Sequence, residues 1–408
     1  MKRNIIFLNR FFYPDHSATS QLLSDLAFYL ADQKNTVTVI CSHQVYDNSS
    51  QLLATRECKS GVNIYRIKTT NFGRHWLPGR MIDYLSYFTG MSWRLFRLVK
   101  SGDIVVAKTD PPLTSIFSIC IAKLKRAYHV NWVQDLFPEV LVSVGIKGVP
   151  KSLFAALKIL RNCSFRYSDK SVVIGEIMKK KLLACGLEEK RLEFIPNWSD
   201  KNIIWPVDKH LNPLRAEWHL ADKFVVGYSG NMGRVHEFDT IINAAKRLQN
   251  KLDIVFVFIG SGPQKEYIES KAQSLNNVFF FPYQAYTALS NSLSLPDVHL
   301  VSLIPGIEGY CVPSKYYGII AAGRPLIFIG DKKGEIPRML RVDGCGYQIN
   351  LGDDKNLSEK IVMLYENQQA LDILAKKSLC SFQQKYEKNR ALAKWSQLVQ
   401  GIHSQTGP

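Results

Sequence analysis

The residues best suited to chemistry stand where apolar runs give way to glycine and a cation. After Val225-Val226 the chain reads Gly227-Tyr228-Ser229-Gly230-Asn231-Met232-Gly233-Arg234. Glycines directly after a buried strand let backbone approach a ligand closely, and Arg234 offers the planar fork of donors that phosphate accepts. A plain strand-to-helix turn would read the same way. A second such place follows Val298–Leu303, where Pro305-Gly306-Ile307-Glu308-Gly309-Tyr310-Cys311 leads into Val312-Pro313-Ser314-Lys315 and a predicted helix. A helix N-terminus with a lysine in its first turn suits a diphosphate, because dipole, free N–H groups and ammonium all favour the anion. The dipole alone disfavours a lysine there, so a purely structural account has an awkward charge to explain.

The first half carries candidates of another kind. The loop Arg10–Ser20 ends in small polar residues at a helix start, with His16, Ser17 and Thr19 placed to face a ligand. Capping of the helix by Ser17 or Thr19 is the alternative. Asp135 follows the apolar run Val130–Val133, at the carboxyl end of a predicted strand, with Glu139 close behind. Either is a candidate polar group, or a solvated carboxylate. His129 lies inside the strand and reads as core.

Several chemistries are disfavoured. No G-x-G-x-x-G follows the first strand and no P-loop occurs, against a nicotinamide dehydrogenase or a P-loop kinase. Eight cysteines are scattered without metal-ligand spacing, which reads as reduced thiols. No Asp-x-Asp is present, and its nearest imitation, Glu237-Phe238-Asp239, reads as charge at a helix start. Neither a metal nor a resident cofactor is expected.

The elements that position these residues show in the apolar pattern. Strands are predicted at Asn4–Leu8, Thr36–Cys41, Ile64–Lys68, Ile104–Ala107, His129–Val133 and Ser171–Ile174, then at Phe224–Ser229, Ile254–Ile259, Asn277–Phe280, Val298–Leu303 and Pro325–Ile329. Helical periodicity fills the gaps, as in Ser20–Asp32 with Leu22, Leu23, Leu26 and Leu30 on one face. Short apolar strands alternating with helices mean α/β architecture with parallel, doubly wound sheets. The 408 residues suit two domains of about 200 each. The expected division is 1–200 for the first Rossmann-like domain, 201–222 for a linker, 223–380 for the second, and 381–408 for a terminal amphipathic helix. Two such domains in series place a ligand crevice at the carboxyl ends of their strands, between them.

The formal net charge is +17, and residues 1–195 hold 28 Lys and Arg against 15 Asp and Glu. A basic first half predicts a polyanionic partner. Residues 74–100 mix Trp76, Tyr84, Tyr87, Phe88, Met91, Trp93, Leu95 and Phe96 with Arg74, Arg80, Arg94, Arg97 and Lys100. That composition suits an anionic bilayer surface, and equally a buried helix with a basic edge. No recognisable nucleic-acid motif supports RNA or DNA binding. The apolar run Ile5–Leu8 is too short for a signal-peptide core, so a cytoplasmic location is expected, peripheral to the membrane.

The Ser229–Arg234 turn, Ile259-Gly260-Ser261-Gly262-Pro263, Pro313-Ser314-Lys315 with Ala321-Ala322-Gly323-Arg324-Pro325, and Val133-Gln134-Asp135-Leu136-Phe137-Pro138-Glu139 resemble glycosyltransferase family 4 over nearly the whole chain. The members it looks like are GT-B enzymes that build colanic acid, capsule and O-antigen. The resemblance implies a retaining, metal-independent transferase with a nucleotide-sugar co-substrate, UDP-linked by preference with GDP-linked as the alternative, and a lipid-linked or polysaccharide acceptor. It implies donor contacts from Gly230, Asn231, Gly233, Arg234, Gly260, Gly262, Tyr283, Glu308, Tyr310, Ser314 and Lys315. Asp135, Glu139, Arg234 and Lys315 would serve catalysis, with His16, Ser17 and Thr19 on the acceptor side. The last helix would cross back to the first domain. One departure is clear: the two family glutamates, with seven residues between them, are replaced by Tyr310 and Gly318, and Glu308 stands two residues early. A sugar-nucleotide-binding protein without transfer, or a GT-B epimerase, would share the other features.

Overall fold

Runs of Val, Ile and Phe without polar alternation form strands covered on both faces, as parallel sheets require. In the computed structural model, which describes residues 4–45, 52–72, 77–140 and 150–404, they assemble into two sheets, one in each of two units. The first unit draws on residues up to Pro138, the stretch ending at Pro196, and Leu392 onward; the second holds Asn197–Ala391.

The first sheet contains β1 (Asn4–Leu8), β2 (Thr36–Ser42), β3 (Arg56–Lys59), β4 (Val62–Ile67), β5 (Ile104–Lys108), β6 (Tyr128–Val133), β7 (Lys170–Val173) and β8 (Leu192–Phe194). Its order is β3-β4-β2-β1-β5-β6-β7-β8, parallel except for the β3–β4 pair. The second contains β9 (Phe224–Ser229), β10 (Ile254–Ile259), β11 (Val278–Phe281), β12 (Val298–Ser302), β13 (Leu326–Ile329) and β14 (Gly346–Ile349), in the order β11-β10-β9-β12-β13-β14. Every pairing in it is parallel. The winding direction reverses between β1 and β5 in one sheet and between β9 and β12 in the other. Loops leaving those strands open at a switch point, where doubly wound sheets bind ligands.

All eleven predicted strands form, with ends shifted by a residue or two. Three more were not anticipated. β3 (Arg-Glu-Cys-Lys) is an edge strand whose charges disguise it; β8 and β14 are short. The stretch read as a linker, 201–222, contains a short helix, Pro213–Glu217, capped by Asn212. Its Arg215 is buried and donates to Asp297 Oδ2 (2.7 Å) and to the Leu295 carbonyl (2.9 Å).

The terminal stretch departs from the single helix expected over Ser381–Trp395. A helix ends at Ser381, one π-turn spans Phe382–Tyr386, and a second helix runs Lys388–Ser404. Glu387 between them is extended, its backbone bridges to Ser199, and its Oε2 accepts from Asn389 N at 3.0 Å. That side chain starts the new helix as an N-cap does. Within the first unit, Trp395 of this helix lies 4.7 Å from Trp132 of β6, centroid to centroid.

The basic-aromatic segment forms the helix Leu77–Leu98; residues 73–76 lie outside the described residues. The helix has one buried face and one exposed face. Tyr87, Phe88, Met91 and Leu95 are buried against Ile6, Leu8 and Val105. Tyr84 is half-buried, 5.2 Å from the Arg10 guanidinium. Met81, Leu85 and Trp93 are exposed by 58–62%, and Arg97 lies over the Trp93 ring. Among the described residues, no helix is long and apolar enough to cross a membrane.

Candidate active site

In the second unit, the loops leaving β9 and β10 are zipped together by backbone. Gly230 N donates to the Ile259 carbonyl (2.8 Å), and Met232 N to that of Ser261 (2.8 Å). Gly260 has φ +132°, and a Cβ there would stand 2.4 Å from the Gly230 carbonyl oxygen. Gly262 meets Asn231 and Met232 as closely. These two glycines are required by the packing of one loop on the other, a demand that precedes any ligand. Gly230, at φ +110°, makes room for a side chain instead: a Cβ would come within 3.0 Å of Lys315 Cε. The Gly233 carbonyl accepts from Gln264 Nε2 at 2.6 Å.

Lys315 opens the helix Lys315–Ala321, yet its side chain leaves that first turn and runs back under the β9 loop. This resolves the awkward charge. The ammonium donates to Tyr228 Oη and to the Asn231 carbonyl (2.8 Å), and lies 3.4 Å from His236 Nε2. It sits 4.0 Å from the centre of the Tyr228 ring. Every one of these partners is neutral, and no carboxylate pairs with Lys315 among the described residues. Burial holds its pKa well below the usual lysine range, although its stem still reaches solvent.

His236 is 8% exposed, and its Nδ1 lies 2.6 Å from the Ser302 carbonyl. A carbonyl can only accept, so Nδ1 carries the proton. Burial, then the neighbouring Lys315, push the imidazole down to about 3. Nε2 therefore keeps its lone pair. Neither Tyr228 nor His236 was singled out from the sequence. A tyrosine inside a strand and a histidine in a turn carry no signal until the fold brings Lys315 to them.

The remaining donor-side candidates are scattered around this cluster. Arg234 is exposed on the same loop and makes no hydrogen bond or ion pair with the described residues. Asn231 is exposed, and its carbonyl serves Lys315. Tyr283 is exposed by 56%, beside Gly260, with its hydroxyl 3.5 Å from the Ser261 carbonyl. Ser314 precedes the helix but makes no side-chain cap. Glu308 folds back on its own loop: Oε2 accepts from Gly306 N at 2.8 Å, and Oε1 is buried with no hydrogen-bond partner among the described residues. Tyr310 is half-buried beside it. At position 318 a Cβ would approach Leu293 Cδ1 to 3.1 Å, so this helix packs too closely for a glutamate there without adjustment. Glu237 does act at a helix start, accepting from Thr240 N at 2.9 Å.

In the first unit the expected anion-facing loop is occupied by its own contacts. Ser17 directs its hydroxyl to Asp15 Oδ1 (2.5 Å), not to the helix it precedes. Thr19 is half-buried. Its hydroxyl donates to Asp110 Oδ2 (3.2 Å) and its carbonyl accepts from Lys108 Nζ (2.6 Å). His16 is exposed, and its carbonyl holds Gln21. His129 is core as read, fixed by Ser118 and Ser168 at 2.8 Å each.

Asp135 stands at the carboxyl end of β6, its backbone N–H on Thr109 Oγ1 (3.3 Å). Although Asp135 is exposed, protein packed around its carboxyl, then the Asp110 carboxylate, push it up to about 6 while Lys108 opposes. Lys108 is 1% exposed, 3.9 Å from the Trp132 ring centre, and burial lowers it to about 7 against the pull of Asp110 and Asp135. Glu139 is half-buried after Pro138. Lys108 and Asp110 gave no sequence signal, because an isolated charge at a strand end is ordinarily solvated.

Two doubly wound units, each with candidate ligand-binding loops at its switch point, define the fold of the GT-B glycosyltransferases. Comparison with known proteins points the same way. Residues 213–378 match the family of glycosyl transferases group 1, and the chain carries that domain. It is 29% identical over 322 residues to the glycosyltransferase WbjE of Pseudomonas aeruginosa, covering 77% of this chain and 78% of that one. With the colanic acid biosynthesis glycosyl transferase WcaI of Escherichia coli (strain K12) it shares 30% identity over 225 residues, 54% of this chain and 55% of the other. Among solved structures, sucrose-phosphate synthase from Thermosynechococcus elongatus superposes with a TM-score of 0.77 at 13% identity, covering 99% and 100% of the two chains. Anabaena Alr3699/HepE in complex with UDP and glucose does so at 0.72 and 14%, covering 97% and 99%.

Proposed function

We propose that the protein is a retaining, metal-independent glycosyltransferase. It moves a sugar from a nucleoside diphosphate, UDP before GDP, to a lipid-linked or polysaccharide acceptor in surface-glycan synthesis. The observation that carries this reading is Lys315: an ammonium drawn to a switch-point loop, surrounded by neutral acceptors, with no carboxylate of its own. A diphosphate would supply that missing charge. The UDP held by the HepE structure and the colanic acid assignment of WcaI support the donor and pathway class.

The chemistry follows from charge. As the glycosidic bond breaks, negative charge gathers on the leaving diphosphate, where Lys315, the exposed Arg234 and loop N–H groups stabilise it. The acceptor hydroxyl approaches the face that the diphosphate leaves, and the leaving phosphate takes its proton. Asp135 is the acceptor-side carboxylate. The cations take the place of a divalent ion.

We further infer that it works at an anionic bilayer. The helices Leu77–Leu98, Thr114–Leu124 and Lys151–Tyr167 carry a single carboxylate, Asp83, which is buried. Exposed on them are Trp93, Phe117, Leu124, Ile159 and Tyr167, together with Arg94, Arg97, Lys158 and Arg166. Apolar and basic groups without acids suit anionic headgroups.

The test is release of UDP or GDP from a panel of nucleotide sugars, with and without EDTA, in the presence of a membrane extract as acceptor. Transfer that survives EDTA is expected. Strict dependence on added magnesium or manganese would overturn the metal-independent reading. Binding without any transfer would leave a sugar-nucleotide-binding protein.

A further inference from the structure

His236 is held from three directions. Its Nδ1–H donates to the Ser302 carbonyl at the end of β12, and its ring meets Tyr228 edge-on (5.8 Å, 79°) and Phe238 (6.4 Å, 66°). A ring so constrained cannot swing to suit a neighbour, and Nε2 points where Lys315 Nζ lies, 3.4 Å away. The other two ammonium partners, Tyr228 Oη and the Asn231 carbonyl, are already joined to each other at 3.0 Å. They would hold the lysine in their own direction without help. The third acceptor sets the tripod.

We propose that His236 is a positioning residue, whose fixed lone pair at Nε2 aims the Lys315 ammonium for a nucleoside diphosphate. This rests on the donor-site reading given above and adds a residue to it. An acceptor that cannot be protonated at physiological pH directs the ammonium without competing for its charge, as a carboxylate would. The diphosphate then meets a cation whose orientation is already fixed, which lowers the ordering cost of binding. The proposal distinguishes the two ring nitrogens: Nδ1 serves the fold, and Nε2 serves the lysine.

Two amide replacements separate these roles in the full-length protein. In His236→Asn the amide can replace Nδ1–H toward Ser302, but nothing reaches Lys315. In His236→Gln the side-chain oxygen can replace Nε2, while the Ser302 bond is lost. The probes are UDP and GDP, titrated by calorimetry, with Tm recorded for each variant. His236→Asn should weaken binding about five- to tenfold with Tm near the parent value. His236→Gln should bind within about twofold of the parent at a lower Tm. In a Lys315→Met background, His236→Asn should have no further effect on affinity. Parent-like affinity in His236→Asn, or affinity falling in step with Tm in both variants, would overturn the proposal. So would an undiminished effect of His236→Asn without the lysine. Were Lys315→Met itself to bind as the parent does, the donor-site reading would fall and this inference with it. Loss in Lys315→Met but not in His236→Asn removes the inference alone.

Discussion

Lys315→Met is the substitution that separates a binding cation from a structural one. Methionine keeps most of the stem that fills the space beside Gly230, and removes only the charge and its three donors. Tyr228 Oη retains its bond to the Asn231 carbonyl at 3.0 Å, and His236 Nε2 loses only its long 3.4 Å contact with the ammonium. The sign of the stability effect follows from linkage. Burial lowers the Lys315 pKa in the fold, so the unfolded chain binds more protons and stability contributed at this site rises toward alkaline pH. At neutral pH the lysine therefore costs stability, and Lys315→Met should match the parent Tm or exceed it. Binding should move the other way. Loss of a charge-assisted bond to diphosphate costs roughly 1.5–3 kcal/mol, or about 10- to 150-fold in affinity. Because charge grows on the leaving group, part of the loss should also appear in kcat. Calorimetric titration with UDP and GDP, scanning calorimetry and turnover on one preparation supply all three readouts. Parent-like nucleotide affinity would refute the site. A Tm lowered by more than about 5 °C, of the size a core substitution gives, would refute the argument that the charge is not structural.

Other predictions address the acceptor side, the membrane surface and the loop scaffold. Asp135→Asn should slow transfer while nucleotide affinity stays within about twofold, since the residue belongs to the other unit. In the parent, activity should fall as pH drops through about 6, where this carboxylate takes up a proton, and pH–rate profiles of the Asn variant should lack that limb. The protein should float with phosphatidylglycerol vesicles and not with phosphatidylcholine. Reversing Arg94 and Arg97 to Glu should weaken flotation by roughly 2 kcal/mol or more, and equal binding to both lipids would dismiss the surface. Gly260→Ala should cost about 2–3 kcal/mol through its positive φ and the Gly230 carbonyl in its path, a Tm decrease of roughly 4–12 °C. A Tm unchanged by this substitution would mean the loops can part freely.

The sheets were legible because their strands are buried on both faces, and continuous apolar runs such as Ile104–Lys108 and Ile254–Ile259 have few other readings. β3 escaped because an edge strand needs no apolar face. The break at Glu387 escaped because its cause is a long-range bridge to Ser199, invisible in local periodicity. Site legibility divides along the same line. Lys315 and Gly230 stand out because each is locally anomalous, a cation in a helix's first turn and a glycine after a strand. Their relation to each other, one making room for the other's stem, is a fact of the tertiary structure alone. Thr19 shows the same division: a threonine near a helix start has a local meaning, and its hydroxyl here bonds to Asp110, 91 residues away. His236 and Lys108 are the extreme case. Each is an ordinary polar residue in the sequence, and each acquires its protonation state only from burial and partners supplied by other strands. Local anomaly marks where a site lies. The residues that tune it are those whose surroundings, not whose types, are unusual.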